Sequence, residues 1–300
     1  MQLSPVKAVY TGVHRLAQIA SRNYIAGPTL SDAMAVARPL AERGYSITLG
    51  YWDAEDDSAS HVLESYVASC EALSQLGSGA YLSIKIPALR HDDRLFRVLQ
   101  QKSRDCGVPL NFDSIDTANA SSMFQFIADH RDPSAGDLGC VLPGRWRRSL
   151  DDADRAIDLG LIVRVVKGQS PDPAEPDRDP SAGYLSVVQR LAGRARCVRV
   201  ASHDPVVMRE ALTILTTAST PCEVEFLYGL PVRSQVAIAR EFKVPIRVYV
   251  AFGHAFLPYA MASLRKRPGT LFRLLREAVR GDCLATFSDV RGGAVLNSPR

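Results

Sequence analysis

Short apolar runs recur along the chain, and each is followed by a polar loop and a segment with helical spacing. Most runs are almost continuously apolar, which is typical of parallel strands covered on both faces. Eight strand–helix units without a G-x-G-x-x-G fingerprint favour an α/β fold, a (βα)8 TIM-type barrel; an open α/β sheet is the alternative. The predicted strands are residues 45–52, 80–89, 108–115, 138–144, 161–168, 195–203, 222–229 and 245–253.

Capping residues help to place the predicted helices. Ser149 and Asp204 are predicted N-caps, Pro205 opens the helix after Asp204, and Gly107 suits a C-terminal cap. The segment 168–183, rich in proline and aspartate, predicts an irregular loop after strand five. An extra helix is predicted before the first strand at 30–44, and others at 61–73, 93–107, 149–160 and 204–215.

The length and composition fit one large barrel. The chain has 300 residues, of which 46% are apolar, so it can form a sizeable core. We expect a single domain over residues 1–300, with a helical lead-in at 1–44, the barrel at 45–280 and a tail at 281–300.

The charge and cysteine patterns argue against several classes of protein. The net charge is only +4 and the cations are scattered, so nucleic-acid binding is not expected. Six cysteines without a C-x-x-C pair predict a reducing, cytoplasmic location. We find no signal-peptide core in the sequence and no apolar stretch long enough to span a membrane. We also find no metal-ligand spacing, P-loop or G-x-S-x-G elbow.

Polar residues near the carboxyl ends of the strands are the candidates for chemistry, because TIM-barrel sites form there. Lys85 lies in an apolar strand and needs a partner or ligand, for which Asp113 is the nearest candidate. Such a pair is as compatible with a structural role as with catalysis.

The other strand ends predict an anion site. Arg164 and Lys167 precede Gly168, an arrangement that suits a phosphate. The alternative is ion pairing with the acidic loop 172–179. His203 stands before a helix start, which also suits an anion, although ordinary capping is the commoner case.

Several stretches, in order along the chain, resemble motifs of the proline dehydrogenase family of flavoenzymes. The resemblance runs from about residue 20 to 275 and rests on the order and spacing of motifs that are individually weak. The matching stretches include "RNYIAGPTLSDAMAVARPLAERGYSITL", "YLSIKIPAL", "LNFDSID", "VRVVKG", "VASHD", "EFLYGLP" and "VYVAFG" followed by "PY".

This resemblance implies a distorted (βα)8 barrel that binds FAD noncovalently and transfers a hydride from the carbon next to an amine nitrogen to the flavin. It implies a small amine or imino-acid substrate, leaves the electron acceptor open and is compatible with a homo-oligomer. The implied cofactor contacts are Arg164, Val166, Lys167, Gly168, Ser202, His203 and Leu227. The implied substrate-side residues are Lys85, Asp113, Tyr249 and Tyr259.

The last helix motif departs from the family pattern. In the family, two arginines follow the tyrosine at i+3 and i+4 and bind the substrate carboxylate together with the strand-two lysine. Here those positions are Ala262 and Ser263, and the family's glutamate at i+7 is Lys266. Charged hydrogen bonds contribute about 1.5–3 kcal/mol each, so losing two predicts weak binding of free proline.

Other departures affect both halves of the site. The strand-four glutamine is absent from "LPGRW", the aromatic after the strand-five motif is replaced around Gln169 and Ser170, and the family's asparagine is Asp204. Strand one brings Tyr51 and Trp52 towards the expected mouth.

These departures leave several functions open. We expect an FAD-dependent oxidoreductase acting on an amine or imino acid other than free proline. The alternatives are a proline dehydrogenase with rearranged carboxylate binding, a non-catalytic binding or regulatory barrel, and a flavin-free lyase.

Overall fold

A computed structural model describes residues 25–54, 56–77, 79–131 and 137–253. Within these ranges the strands are β1 (Ser46–Trp52), β2 (Tyr81–Ile84), β3 (Leu110–Phe112), β4 (Leu138–Pro143), β5 (Ile162–Val166), β6 (Val198–Val200), β7 (Cys222–Leu227) and β8 (Ile246–Gly253). The helices are α1 (Leu30–Glu42), α2 (Ala59–Ser74), α3 (Asp93–Cys106), α4 (Thr117–Asp129), α5 (Ser149–Asp158), α6 (Pro180–Leu191), α7 (Pro205–Thr217) and α8 (Arg233–Glu241).

The strands form one closed parallel barrel in chain order, as the alternation along the sequence predicts. Strand β8 closes the barrel against β1, with Ser46 opposite Arg247 and Trp52 opposite Gly253. The extra helix α1 precedes β1, and α2 to α8 each follow one strand. The TIM-type prediction is therefore confirmed over the described residues.

Local capping explains where several helices begin and end. Asp204 accepts hydrogen bonds from the first turn of α7 and Pro205 is its first residue, as predicted. Gly107 ends α3 with φ of 63°, a left-handed conformation that favours glycine. The prediction for Ser149 is wrong, because Arg148 precedes α5 and Ser149 is its first helical residue, donating to the carbonyl of Pro143.

Several strands are shorter than their apolar runs. Strand β2 ends at Ile84, and a 3-10 turn at Ile86–Leu89 follows because Pro87 cannot donate to a strand ladder. Strands β3 and β6 have three residues each. The irregular loop after β5 ends earlier than predicted, because Pro180 opens α6.

Alternation along the strands separates an apolar layer from a polar barrel interior. Ile47 and Leu49 of β1 are buried in the apolar cluster, whereas Thr48 between them hydrogen-bonds to Glu225 across the barrel. A strand residue and its second neighbour share one face, so every other position contributes to the interior. Charged side chains therefore line the interior as far as the carboxyl end of the barrel.

Candidate functional site

Glu223 lies at the centre of the amino-terminal level of the barrel interior. It accepts hydrogen bonds from Nε of Arg199 at 2.6 Å and from Nε of Arg247 at 2.8 Å. The two guanidiniums lie over the ring of Tyr81, at 3.9 Å and 4.4 Å from its centroid. Burial alone would raise the pKa of Glu223, but Arg247 and Arg199 lower it below its ordinary value, so this level is a closed ionic cluster.

Glu225 forms the middle level of the interior. Its carboxylate accepts from the hydroxyls of Thr48 at 2.9 Å and Tyr81 at 2.7 Å. Nη1 of Arg164 also donates to it at 3.2 Å. Burial and the neighbouring Glu225 raise the pKa of Tyr81 to about 12, so this hydroxyl keeps its proton and donates. Glu225 thereby links the lower cluster to Arg164.

Arg164 dominates the upper level. It forms a close ion pair with Asp113, and its Nη2 donates to the hydroxyl of Ser83 at 3.1 Å. Ser83 donates in turn to Oδ1 of Asp113 at 2.6 Å. Burial would lower the pKa of Arg164, but Asp113 and Glu225 raise it well above its ordinary value, so it remains a cation.

Tyr249 lies beside Arg164 at the same level. Its ring centroid is 5.1 Å from the guanidinium carbon, and its hydroxyl accepts from the indole nitrogen of Trp52 at 3.4 Å. Burial and then Asp113 raise the pKa of Tyr249, so the phenol stays protonated. Gly50 makes room for it, since a Cβ at that position would lie 1.9 Å from the hydroxyl oxygen.

Lys85 does not pair with Asp113, contrary to the prediction. Its ammonium lies 2.6 Å from Oδ1 of Asp53, in the loop after β1. The backbone N–H of Lys85 donates to the hydroxyl of Tyr66 at 2.9 Å, which holds the start of its side chain. Asp113 is instead committed to Arg164, so the two predicted partners belong to neighbouring but separate ion pairs.

The two cations at the end of β5 are also separated. Arg164 faces the barrel interior, whereas Lys167 bridges to Asp204 at 2.9 Å. Neither cation pairs with the loop 172–179, where Asp172 accepts from the backbone N–H groups of Arg147 and Ala174. Asp204 also caps α7, so the helix start shows ordinary capping. Both side chains of the Lys167–Asp204 bridge remain over a third exposed, which makes it an easily exchanged pair.

His203 and Leu227 are in direct contact. Nε2 of His203 accepts from the backbone N–H of Leu227 at 3.2 Å, so the ring hydrogen is on Nδ1. That Nδ1 is buried and has no partner among the described residues. The adjacent Ser202 is buried, and its hydroxyl accepts from the N–H of Asp204 at 3.2 Å.

His203 is predicted to stay neutral through the physiological range. Burial lowers its pKa to about 4 from an ordinary 6.5, so its ring resonances should not shift between pH 8 and pH 5.5 in NMR spectra. The unfolded chain binds this proton first, so between pH 6.5 and 4 acidification should destabilise the fold by a few kcal/mol. A His203→Gln variant assigns the resonance and should flatten that slope; a ring that titrates near neutrality contradicts the prediction.

Gly168 and Val166 complete the predicted cofactor side. Gly168 has φ of 88°, and a Cβ there would lie 2.9 Å from Cβ of Pro143. The glycine is therefore required by contact with the end of β4, whatever else approaches it. Val166, at the end of β5, is only partly buried and contributes apolar surface.

The arrangement fits a bound flavin at two orphaned donors. Nδ1 of His203 and Nε of Arg164 are buried without a partner in the described part of the chain. Buried donors of this kind are rare and call for an acceptor. The carbonyl oxygens and ring nitrogens of a flavin are such acceptors, and the exchangeable Lys167–Asp204 bridge can release an ammonium to a phosphate.

Some predictions lie outside the described residues. Tyr259, Ala262, Ser263 and Lys266 all fall in the range 254–300. Within the described ranges, no group of three or more His, Cys, Asp or Glu side chains is arranged to hold a metal ion. No described helix has the length and apolarity needed to cross a membrane.

Tyr51 is not at the mouth, contrary to the prediction, because it packs in the strand–helix layer and donates to Asp57 at 2.7 Å.

Sequence reasoning also missed several polar partners. Alternating charges in "CEVEFL" and "IRVYV" were the available signal, since a charge in a doubly covered strand must face the barrel interior. The missed residues are Asp53, Tyr81, Ser83, Arg199, Glu223, Glu225 and Arg247.

Curated relatives of this chain are proline dehydrogenases. Proline dehydrogenase 1 of Bacillus subtilis strain 168 is 24% identical over 274 residues, which cover 86% of this chain and 90% of the relative. Proline dehydrogenase of Deinococcus radiodurans is 22% identical over 281 residues, covering 87% and 90%. No protein-family profile matches the chain.

Solved structures show the same fold. Proline utilization A from Bdellovibrio bacteriovorus, inactivated by N-propargylglycine, aligns with a TM-score of 0.65 and 16% identity over 86% of this chain. The protein of the same name from Corynebacterium freiburgense aligns with a TM-score of 0.63 and 16% identity over 95% of this chain. The chain spans 32% and 34% of those longer proteins. The sequence comparison therefore relates this chain to the proline dehydrogenases, as its strand motifs predict, and the solved structures show that it shares their barrel fold.

Proposed function

We propose that this protein is an FAD-dependent oxidoreductase that oxidises the carbon–nitrogen bond of a small amine or imino acid. The observation that carries the proposal is the group formed by Arg164, Asp113 and Tyr249 at the carboxyl end of the barrel. It combines a fixed cation, a carboxylate and a protonated phenol where TIM-barrel enzymes place their chemistry. The similarity to proline dehydrogenases supports the type of reaction.

The oxidation removes a hydride from carbon and a proton from the neighbouring nitrogen, which leaves a C=N bond. When bound, FAD accepts the hydride and its two electrons. Within the described residues, Asp113 accepts hydrogen bonds only through Oδ1, so Oδ2 is available to a substrate N–H. Tyr249 keeps its proton and can donate to a polar substrate atom.

The contribution of these residues is positioning. A substrate amine that arrives neutral needs no strong base, so the site must mainly hold the reacting carbon in one orientation. Arg164 fixes Asp113 from inside the barrel, and Trp52 fixes the hydroxyl of Tyr249. Tyr249 lies on β8, and Asp113 directly follows β3 and donates its N–H to the carbonyl of Ile84 in β2, so both groups are held more firmly than groups on a long loop.

On the cofactor side we propose the ring of His203 and the guanidinium of Arg164 as donors to the flavin. The ammonium of Lys167 would bind a phosphate in place of Asp204. Val166, Gly168, Ser202 and Leu227 complete this side as the resemblance implies. Their positions at or just after the ends of β5, β6 and β7 support these roles.

For the substrate we propose an amine or imino acid other than free proline. In the resemblance, Ala262 and Ser263 match the positions of the family's two carboxylate-binding arginines, and neither side chain can replace a cation. The second candidate is free proline, bound through a different set of residues. The named activity of the curated relatives favours this alternative.

An absorption spectrum of the purified protein tests the cofactor. Flavin bands, present as isolated or after adding FAD and removing the excess, are the expected result. Anaerobic addition of a panel of cyclic and acyclic amines should then bleach the bands with at least one compound. The proposal is abandoned if FAD does not bind. If the protein binds free proline with an affinity typical of the family, the second candidate is established.

A further inference from the structure

Lys85 stands between two acids at the mouth of the barrel but pairs with only one of them. Asp113 lies beside it on the neighbouring strand end, since its N–H donates to the carbonyl of Ile84 at 2.8 Å. That acid is already held by Arg164. Lys85 turns to the other side and binds Asp53. Lys85 and Arg164 are thereby each balanced by an acid of the chain itself.

The Lys85–Asp53 pair is partly buried, which makes it hard to exchange. The two side chains are only 15% and 22% exposed, and the ammonium and carboxylate oxygen are 2.6 Å apart. An incoming anion that takes the ammonium leaves the Asp53 carboxylate without a cation in a poorly solvated place, and one that shares it meets the negative charge of Asp53. An uncharged substrate, or one that carries only an amine, meets no such penalty.

We propose that Asp53 is a specificity-determining residue, which masks the ammonium of Lys85 and so selects against ligands that carry a carboxylate. This inference deepens the proposed function and rests on the mouth of the barrel being the substrate site. Asp53 lies on the β1–α2 loop, in the described part of the chain, and competes with anionic ligands for the ammonium of Lys85. Removing the charge of Asp53 should convert Lys85 into an anion-binding group.

The test compares binding of two ring compounds of the same size by isothermal titration calorimetry with the full-length protein at pH 7. Cyclopentanecarboxylate carries only an anion and pyrrolidine only a cation. Asp53→Asn should bind cyclopentanecarboxylate about tenfold or more tightly than the wild type does, because a charged hydrogen bond becomes available. Pyrrolidine should bind Asp53→Asn no more tightly than it binds the wild type.

Two further variants separate masking from a general change of charge. Asp56→Asn removes one negative charge from the same loop at an exposed position, and it should leave the carboxylate affinity within about threefold of the wild type. Asp53→Asn combined with Lys85→Met should lose the gain. Asp53→Ser provides a second unmasking variant if Asp53→Asn does not fold, as judged by its circular dichroism melting curve.

The proposal is overturned if unmasked variants that fold bind the carboxylate no better than the wild type, or not measurably. It is also overturned if Asp56→Asn gives the same gain, or if the gain survives Lys85→Met. Binding is measured directly and does not need turnover. A protein that fails to bind FAD while Asp53→Asn gains carboxylate affinity therefore rejects the proposed redox function and retains the role of Asp53.

Discussion

Replacing Arg164 by methionine is expected to lower the free energy of unfolding by about 3–5 kcal/mol, because it leaves buried carboxylates without their cation. Arg164 is the shared partner of Asp113 and Glu225, and methionine fills similar space without charge. Urea denaturation monitored by circular dichroism measures the loss.

A matched control separates this effect from the loss of any arginine. Arg190 makes a close pair with Asp154, but its side chain is half exposed and the pair is screened by solvent, so Arg190→Met should lower the stability far less than Arg164→Met does. Adding Glu225→Gln to Arg164→Met should recover part of the stability, since one uncompensated charge is removed. If Arg164→Met and Arg190→Met lower the free energy of unfolding equally, burial of the network does not contribute to the effect and the prediction is wrong.

Replacing Glu223 by glutamine is the second large prediction. The variant keeps the shape of the side chain but leaves Arg199 and Arg247, which both lie over the ring of Tyr81, without the carboxylate that they share. We expect a loss of about 3–5 kcal/mol at pH 7, again from buried charge without a partner. Chemical denaturation at a series of pH values measures it.

The loss should depend on pH in a defined direction. Arg247 and Arg199 hold the pKa of Glu223 below its ordinary value of 4.5 despite burial. The stabilisation is therefore fully present above pH 4.5 and is lost as the pH falls through the lowered value in the folded state. Wild type and Glu223→Gln should converge in acid, while Glu241→Gln, at an exposed pair with Arg209, should follow the wild type throughout. A gap that is independent of pH contradicts the assignment.

The polar interior has a consequence for the site. TIM barrels usually fill their centre with branched apolar side chains. Here Glu223, Glu225 and Arg164 form successive ionic levels that end at Asp113. The lower level stacks on the ring of Tyr81, and the middle and upper levels are hydrogen-bonded through Arg164, which limits the orientations available to Asp113. Burying these charges carries a desolvation penalty at the centre of the barrel, and the network in return holds the carboxylate of Asp113 in a fixed position at the mouth.

The helix and strand order could be predicted because it depends on local patterns. Apolar runs separated by helical spacing identify parallel strands, and residues such as Asp204 and Gly107 signal helix ends through their own backbone preferences. Strand lengths were less predictable, as β2 shows. The apolar run continues beyond Ile84, but Pro87 and the turn that contains it end the ladder.

The sequence predicts which residues belong to the candidate site but not which of them pair with one another. Sequence order alone identified Lys85, Asp113, Arg164, His203 and Tyr249 as polar groups near strand ends. It could not decide which acid meets which cation, because a barrel gives every strand two neighbours and an interior shared by all eight. Only the closed structure assigns Lys85 to Asp53 and Arg164 to Asp113.

The sequence by itself determined the (βα)8 architecture, the relation to the proline dehydrogenases and the residue types at the mouth, because periodicity, capping and motif order are properties of the chain. The tertiary structure decided the charge balance of the site. Asp53 lies 32 residues from Lys85, and Asp113 lies 51 from Arg164, so their pairing depends on strand register and barrel closure. That register turns scattered ionisable residues into a masked lysine and a fixed carboxylate.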